Sequence, residues 1–378
     1  MVKYKSCCSV SIKRRSSSAS EQSDEDGNTK ETPLWLKILI YSGIALFTLI
    51  LIVFLIIWVL IPVVFSHSIA FQRMMIFIPF NSPRNPHFDD PSSYAIEGVH
   101  NIYITVSDYY DNTTLTTIGA WLILPEELVG VNDSLNISDI IRETDYDIVF
   151  YLHGVYANRA KPIHQYSILR KHFLVLAIDH RGYGDSGSNV EMGELGMVHD
   201  HLQIYNWILE KGFKNDIFYW GHSLGAAISC HTVRSLKETY NFIPKGLILE
   251  SPFTTLREEI QESIVGKIYS WLAYFNSTIL GPLDDNGFHF YSTTNILQVD
   301  CPIMILHAED DSIVPAVLGQ KLASVACNER QIPDQGNVTF HLFSSDLGYG
   351  HNDILTDENV PEYIRSFKKV CEEFINTN

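Results

Sequence analysis

A serine hydroxyl is a weak nucleophile at its free pKa and becomes an effective one only where the chain exposes it beside a base. Gly221-His222-Ser223-Leu224-Gly225 follows the apolar run Ile217-Phe218-Tyr219-Trp220 and reads as a strand turning sharply into a helix, with Ser223 at the apex. Glycine is required on both sides because a Cβ would clash inside the turn, and the serine oxygen is left exposed above the sheet. A nucleophile so placed needs an orienting acid after a late strand and a histidine after the last one. Residues 301–307 (CPIMILH) form a buried-strand pattern that runs into Ala308-Glu309-Asp310-Asp311-Ser312. Residues 338–343 (VTFHLF) form another, followed by Leu347-Gly348-Tyr349-Gly350-His351. These residues predict acyl transfer, with Ser223 as nucleophile, His351 as general base and acid, and Asp311, in competition with Asp310, as the carboxylate that orients the imidazole.

The oxyanion formed in such a reaction needs two backbone N–H donors. Leu224, directly after the serine, supplies one. The strand pattern 147–152 (DIVFYL) ends in His153-Gly154-Val155, where glycine lets the backbone approach a substrate and the N–H of Val155 is the second donor. Other conspicuous residues have plainer readings. His153 is structural, since the triad already has its base, and His222 fills the variable position of the elbow. Glu250 makes a structural hydrogen bond at a strand end. Gly182-Tyr183-Gly184-Asp185-Ser186-Gly187 matches a dinucleotide-binding glycine pattern, but the acidic residue expected about 20 positions on falls inside a helical stretch, so this is a tight loop.

The elements that must position these groups alternate between strand and helix patterns. Strands are predicted over 100–106, 115–124, 147–152, 173–179, 216–220, 246–251, 302–307 and 338–343. Eight strands in βα order predict one α/β domain over 94–378, with a mostly parallel sheet of the α/β-hydrolase plan. Residues 254–300 are predicted as an insertion that can act as a cap, with core packing as the alternative use of its apolar face of Ile260, Ile264, Ile268, Trp271, Leu272 and Phe275.

Residues 34–64 are almost wholly apolar, with Lys37 the only charge. A helix over 38–61 would rise about 36 Å, enough to cross a hydrocarbon core. Lys3, Lys5, Lys13, Arg14, Arg15, Lys30 and Lys37 precede or open this span, against Arg73 and Arg84 in the twenty residues after Val64. That bias predicts a signal anchor with a cytoplasmic N-terminus and a translocated catalytic domain. Glycosylation sequons agree with it, since Asn112, Asn132, Asn136, Asn276 and Asn337 all follow the span. Residues 1–33 are predicted to be a disordered tail, with Cys7-Cys8 a candidate palmitoylation site. Residues 65–93 are predicted to be a linker whose stretch 69–80 (IAFQRMMIFIPF) lies in the membrane interface or, as the alternative, forms a buried first element of the domain. Cys327 and Cys371 are candidates for pairing, while Cys230 and Cys301 read as buried thiols. The formal charge of −17 argues against nucleic acid as a partner, and the motifs call for neither cofactor nor metal.

The blocks YLHG at 151–154, D-x-RGYGDS at 179–186, WGHSLG at 220–225, LILESPFT at 247–254, ILHAEDD at 305–311 and SDLGYGH at 345–351 extend the picture. Through them the chain resembles the membrane-bound α/β-hydrolase-domain lipases, the family of monoacylglycerol and lysophosphatidylserine lipases. The resemblance implies Ser223, Asp311 and His351 as the triad, the second aspartate of ILHAEDD being the acid. It further implies a lipid substrate with one acyl chain, such as a lysophospholipid or a monoacylglycerol, and a type II protein of the endoplasmic reticulum membrane with a lumenal catalytic domain, the plasma membrane being the other candidate. A head-group preference is expected to come from local contacts through Arg159 or Arg181, because long-range attraction of an anion by so acidic a domain is excluded. A protein thioesterase or peptidase on the same triad, or a catalytically silent binding protein, is the competing expectation.

Overall fold

The structure, a computed structural model, describes residues 32–130, 136–330 and 334–377. The tail through Glu31, Cys7-Cys8 and the sequon at Asn132 lie outside the described residues. Helix Leu34–Leu55 constitutes one compact unit and the chain from Ile56 onward a second. Residues Leu34–His67 are helical throughout and reach a mean hydropathy of 3.3, long and apolar enough to cross a membrane. Within this stretch Ile56–Leu60 is a π-helical turn.

Eight strands form one sheet: β1 Val99–Ser107, β2 Leu115–Ile123, β3 Ile148–Leu152, β4 Leu174–Ile178, β5 Ile217–His222, β6 Gly246–Glu250, β7 Ile303–Ala308 and β8 Val338–Phe343. Their order is β1-β2-β4-β3-β5-β6-β7-β8. β1 and β2 pair antiparallel and β2 joins β4 antiparallel, while every pairing from β4 to β8 is parallel. Strands β3, β4, β6 and β7 are buried along their whole length, the signature of a parallel sheet covered on both faces. Alternate residues of each strand serve the two faces. Ile148, Phe150, Leu152 and Tyr219 pack into a core with the helix Leu224–Tyr240, whereas Val149, Tyr151, Phe218 and Trp220 pack with the C-terminal helix through Ile364, Phe367 and Cys371.

The stretch 69–80 folds as a short helix, Ile69–Phe77, and its continuation. Gln72 and Phe77 are buried against the body, while Met74, Met75 and Phe80 are exposed. The predicted apolar face of the insertion is not one face. Leu272 and Phe275 are buried, but Ile264, Ile268 and Trp271 face outward. Helical spacing is lost because the first insertion helix, Leu256–Glu262, ends at Ser263, whose side chain then caps a second helix, Ile264–Tyr269. Cys327 is exposed, Cys371 buried, and both are free, as are Cys230 and Cys301.

Candidate active site

β5 delivers Ser223 at φ 54° and ψ −116°, a conformation costing about 1–3 kcal/mol that surrounding structure must enforce. The enforcing contacts are local and tight. A Cβ on Gly221 would lie 2.2 Å from the carbonyl oxygen of Gly225, and one on Gly225 would lie 2.0 Å from that of Leu152, so neither position accepts a side chain. The Ser223 N–H donates to the Glu250 carbonyl (2.9 Å), tying the apex to β6.

The loops after β7 and β8 bring Asp311 and His351 together. His351 Nδ1 donates to Asp311 Oδ2 at 2.7 Å, which leaves Nε2 as the basic nitrogen. Asp311 Oδ1 accepts the N–H groups of Ile313 and Val314, each at 2.9 Å. Burial alone would raise the Asp311 carboxyl, but hydrogen bonds and charge from His307 and His351 prevail and hold it well below the usual carboxylate range. Asp310 points elsewhere and accepts the N–H of Gly350 at 3.1 Å. It braces the loop that carries the histidine.

Two histidines of the site carry more than their sequence positions suggest. His222 donates Nε2–H to the His351 carbonyl at 2.8 Å, and the two rings stand 4.8 Å apart. Burial and then the neighbouring His351 push its imidazole down to about 3, so it stays neutral. His307, wholly buried in β7, donates Nε2–H to the Val314 carbonyl at 2.9 Å and lies 3.4 Å from Asp311 Oδ2. The only signal for His307 in the sequence is a polar residue inside an otherwise apolar buried strand.

A cavity of ≈580 Å³ opens beside these groups, with His222, His351, Val155, Tyr156, Lys161 and Ile78 among its walls. Ser223 lies just beneath, since a Cβ on Gly154 would meet Ser223 Cβ at 3.0 Å. Leu224 opens its helix, where a first-turn N–H has no intrahelical acceptor, and Val155 lines the cavity. A second hollow of ≈440 Å³, around Asn81, His87 and Asp185, is lined by no serine, threonine or cysteine.

The expected head-group arginines are elsewhere. Arg159 is fully buried, paired with Asp179 (2.5 Å) and Asp185 (2.7 Å) and stacked on the Phe88 ring. Arg181 is held by Asp108 and, through two donors at 2.7 Å, by Asp200. Basic residues after a strand end are as well suited to bracing loops by ion pairing as to ligand contact, and here burial with carboxylates decides. The cation that faces the cavity is Lys161, whose Nζ donates to the Tyr156 carbonyl at 3.0 Å and has no ion pair among the described residues. Trp271 and Phe275 of the predicted cap do not line this cavity. His153 is buried between His180 and Tyr183, and Glu250 accepts from Trp220 Nε1 at 2.9 Å. Gly182 and Gly184 adopt positive φ within a loop with no helix behind it.

Sequence comparison places this geometry in a family. Residues 146–286 match the S33 serine aminopeptidase family. The lysophosphatidylserine lipase ABHD12 of Gallus gallus is 33% identical over 329 residues, covering 84% of each chain. The chain belongs to the ABHD12 family. The Mus musculus lysophosphatidylserine lipase ABHD12 is likewise 33% identical, over 82% of this chain and 77% of its own. Among solved structures, an α/β hydrolase from Vibrio vulnificus superposes with a TM-score of 0.56 at 15% identity, covering 78% of this chain and 92% of its own, which establishes the fold. This ABHD12-family chain is therefore an α/β-hydrolase-fold enzyme, a serine ester hydrolase with one membrane-length apolar helix among the described residues.

Proposed function

We propose that this ABHD12-family enzyme cleaves the acyl ester of single-chain glycerolipids, lysophosphatidylserine and monoacylglycerols among them, through an acyl-enzyme. The observation that carries the reading is the 2.7 Å contact from His351 to Asp311 beside the strained Ser223 elbow. Ser223 Oγ attacks the ester carbonyl carbon as His351 Nε2 takes its proton, and the oxyanion faces the N–H groups of Leu224 and Val155. Collapse breaks the acyl–oxygen bond, His351 returns the proton to the departing glycerol oxygen, and the acyl group stays on Ser223. A water deprotonated by the same nitrogen then releases the fatty acid and restores the serine.

For the substrate class, the names of the relatives and the cavity support each other. Lys161 is a cation in its lining that can meet the phosphate of a lysophospholipid, and Ile78 and Ile313 give it apolar walls. A peptidase reading has the family description behind it, yet a free α-ammonium would meet the same lysine as a like charge. The enzyme is read as type II, with the tail cytoplasmic and the catalytic domain in the lumen of the endoplasmic reticulum. Asn112, Asn136 and Asn337 are exposed in support of that.

The test is turnover of lysophosphatidylserine, lysophosphatidylcholine, monoacylglycerol, a diacyl phospholipid and an aminoacyl amide by wild type and Lys161→Met. Single-chain esters should lead, with the lysine variant losing about tenfold on the anionic lipid and little on monoacylglycerol. Faster cleavage of the diacyl lipid or of the amide would overturn the substrate class.

A further inference from the structure

Residues 264–275 read IVGKIYSWLAYF, with Lys267 the one charge. In the fold their apolar side chains divide. Leu272 and Phe275 turn inward, with Leu280, against Trp58, Ile260 and Tyr269. Ile264 and Trp271 are each 64% exposed, and Ile268 and Tyr274 also face outward. An aromatic and aliphatic patch of this kind is unfavourable in water and marks a surface with a partner.

What lies beside the patch identifies the partner. Tyr269 donates its hydroxyl to the carbonyl of Ile57 at 3.1 Å, Tyr274 donates to the carbonyl of Trp58, and the Trp271 ring tilts against Trp58 with centroids 6.4 Å apart. Ile57 and Trp58 belong to the π-helical turn inside the membrane-length stretch Leu34–His67. A π turn displaces carbonyls from regular helical bonding, and at membrane depth such a group must find a donor within the protein. The two tyrosines supply it. Val59, Leu60, Val63 and Val64, which follow Trp58 in the same stretch, are exposed and apolar. Trp58, Tyr269, Trp271 and Tyr274 thus form a cluster of the residue types enriched where membrane meets water. Lys267 has a chain long enough to carry its ammonium to the aqueous side, towards Glu262 at 3.6 Å.

We propose that residues 264–275 lie in the boundary between lipid head groups and acyl chains, as a second membrane contact that seats the catalytic body on the bilayer beside Trp58. The proposal rests on the membrane-spanning reading of Leu34–His67, and its turnover test rests also on the proposed substrate class. It has a consequence for glycosylation. Asn276 follows Tyr274 by two residues, and its side chain accepts from Arg257 at 3.3 Å, so a glycan there would be driven against the head groups. Of the described sequons, Asn276 is the one that stays unmodified.

Full-length protein reconstituted into phosphatidylcholine vesicles, with or without bromine on the acyl chains, tests the contact. Flotation with the vesicles checks the span itself. The emission lost in Trp271→Phe relative to wild type should be quenched by the bromolipid and shielded from aqueous acrylamide. The reverse pattern in protein that floats would overturn the proposal while leaving the span intact. Ile268→Asp provides a second reading, should the tryptophan variant misfold. It should lower turnover of a long-chain lysolipid presented in vesicles by about tenfold and leave that of a soluble short-chain ester unchanged. Equal effects on both substrates would also overturn it.

Discussion

His222 donates its Nε2–H to the backbone carbonyl of His351 across 129 residues of sequence, so the neighbour of the proposed nucleophile holds the proposed base in place. This bond fixes the height of the His351 loop over the elbow, and its loss should appear as misplacement of the imidazole. His222→Leu is expected to reduce kcat by about 10–100-fold with little change in KM, because small displacements of a catalytic group are costly. His222→Gln restores a donor and should recover most of that loss. Matching losses in Leu and Gln variants would show that the ring matters for packing and not for the bond.

Ser223→Ala should abolish labelling by a fluorophosphonate probe and cut turnover by about 10³–10⁶-fold, with His351→Ala nearly as severe because the residues act as a unit. Retained labelling in the serine variant would move the nucleophile elsewhere.

The two adjacent aspartates should separate in the same assay. Asp311→Asn leaves an amide against His351 Nδ1 and favours the wrong tautomer, for a loss of about 10⁴-fold in kcat. Asp310→Asn only loosens the bond to Gly350 and should be much milder. Comparable losses in the two variants would remove the distinction that the geometry draws.

Glu250 should leave a signature in stability rather than in activity. Burial pushes its carboxyl up to about 8 from an ordinary 4.5, the hydrogen bond from Trp220 opposing only in part, and Asp353 adds to the rise. Between about 4.5 and 8 the folded protein therefore keeps a proton that the unfolded chain has released, and its stability falls as pH rises through that window. Glu250→Gln removes the titration and keeps an acceptor for Trp220. Its Tm relative to wild type should climb from pH 5 to pH 8, and a pH-independent difference measured by thermal unfolding would contradict this.

Topology can be read from sugars and protease protection together. Endoglycosidase should increase the mobility of the protein, and protease added to sealed microsomes should remove only the segment before the span. A protected N-terminus with a digestible catalytic domain would reverse the assigned orientation.

The elbow, the strand pattern and the chain order of serine, acid and histidine are legible in the sequence because each is set by contiguous residues. Tight turns exclude a Cβ at Gly221 and Gly225 wherever they occur, and a buried parallel strand is a continuous apolar run in any protein. The apolar span is legible for the same reason. Contacts made between distant segments are another matter. Asp310 and Asp311 are chemically identical, and the residues alone left the acid open until the family motif named the second. Only the geometry of two loops 40 residues apart shows how the pair divides, one against His351 and the other against Gly350. Arg159 and Arg181 look like anion ligands in a list of residues, and in the fold they are consumed by carboxylates of neighbouring loops and of the helix Glu194–Glu210, leaving Lys161 at the cavity. The bond from Tyr274 to Trp58 joins positions 216 residues apart. The sequence determines local sterics and periodicity by itself. Which side chains share a hydrogen bond, a cavity or a membrane surface is decided by chain closure, whose outcome no short window of residues contains.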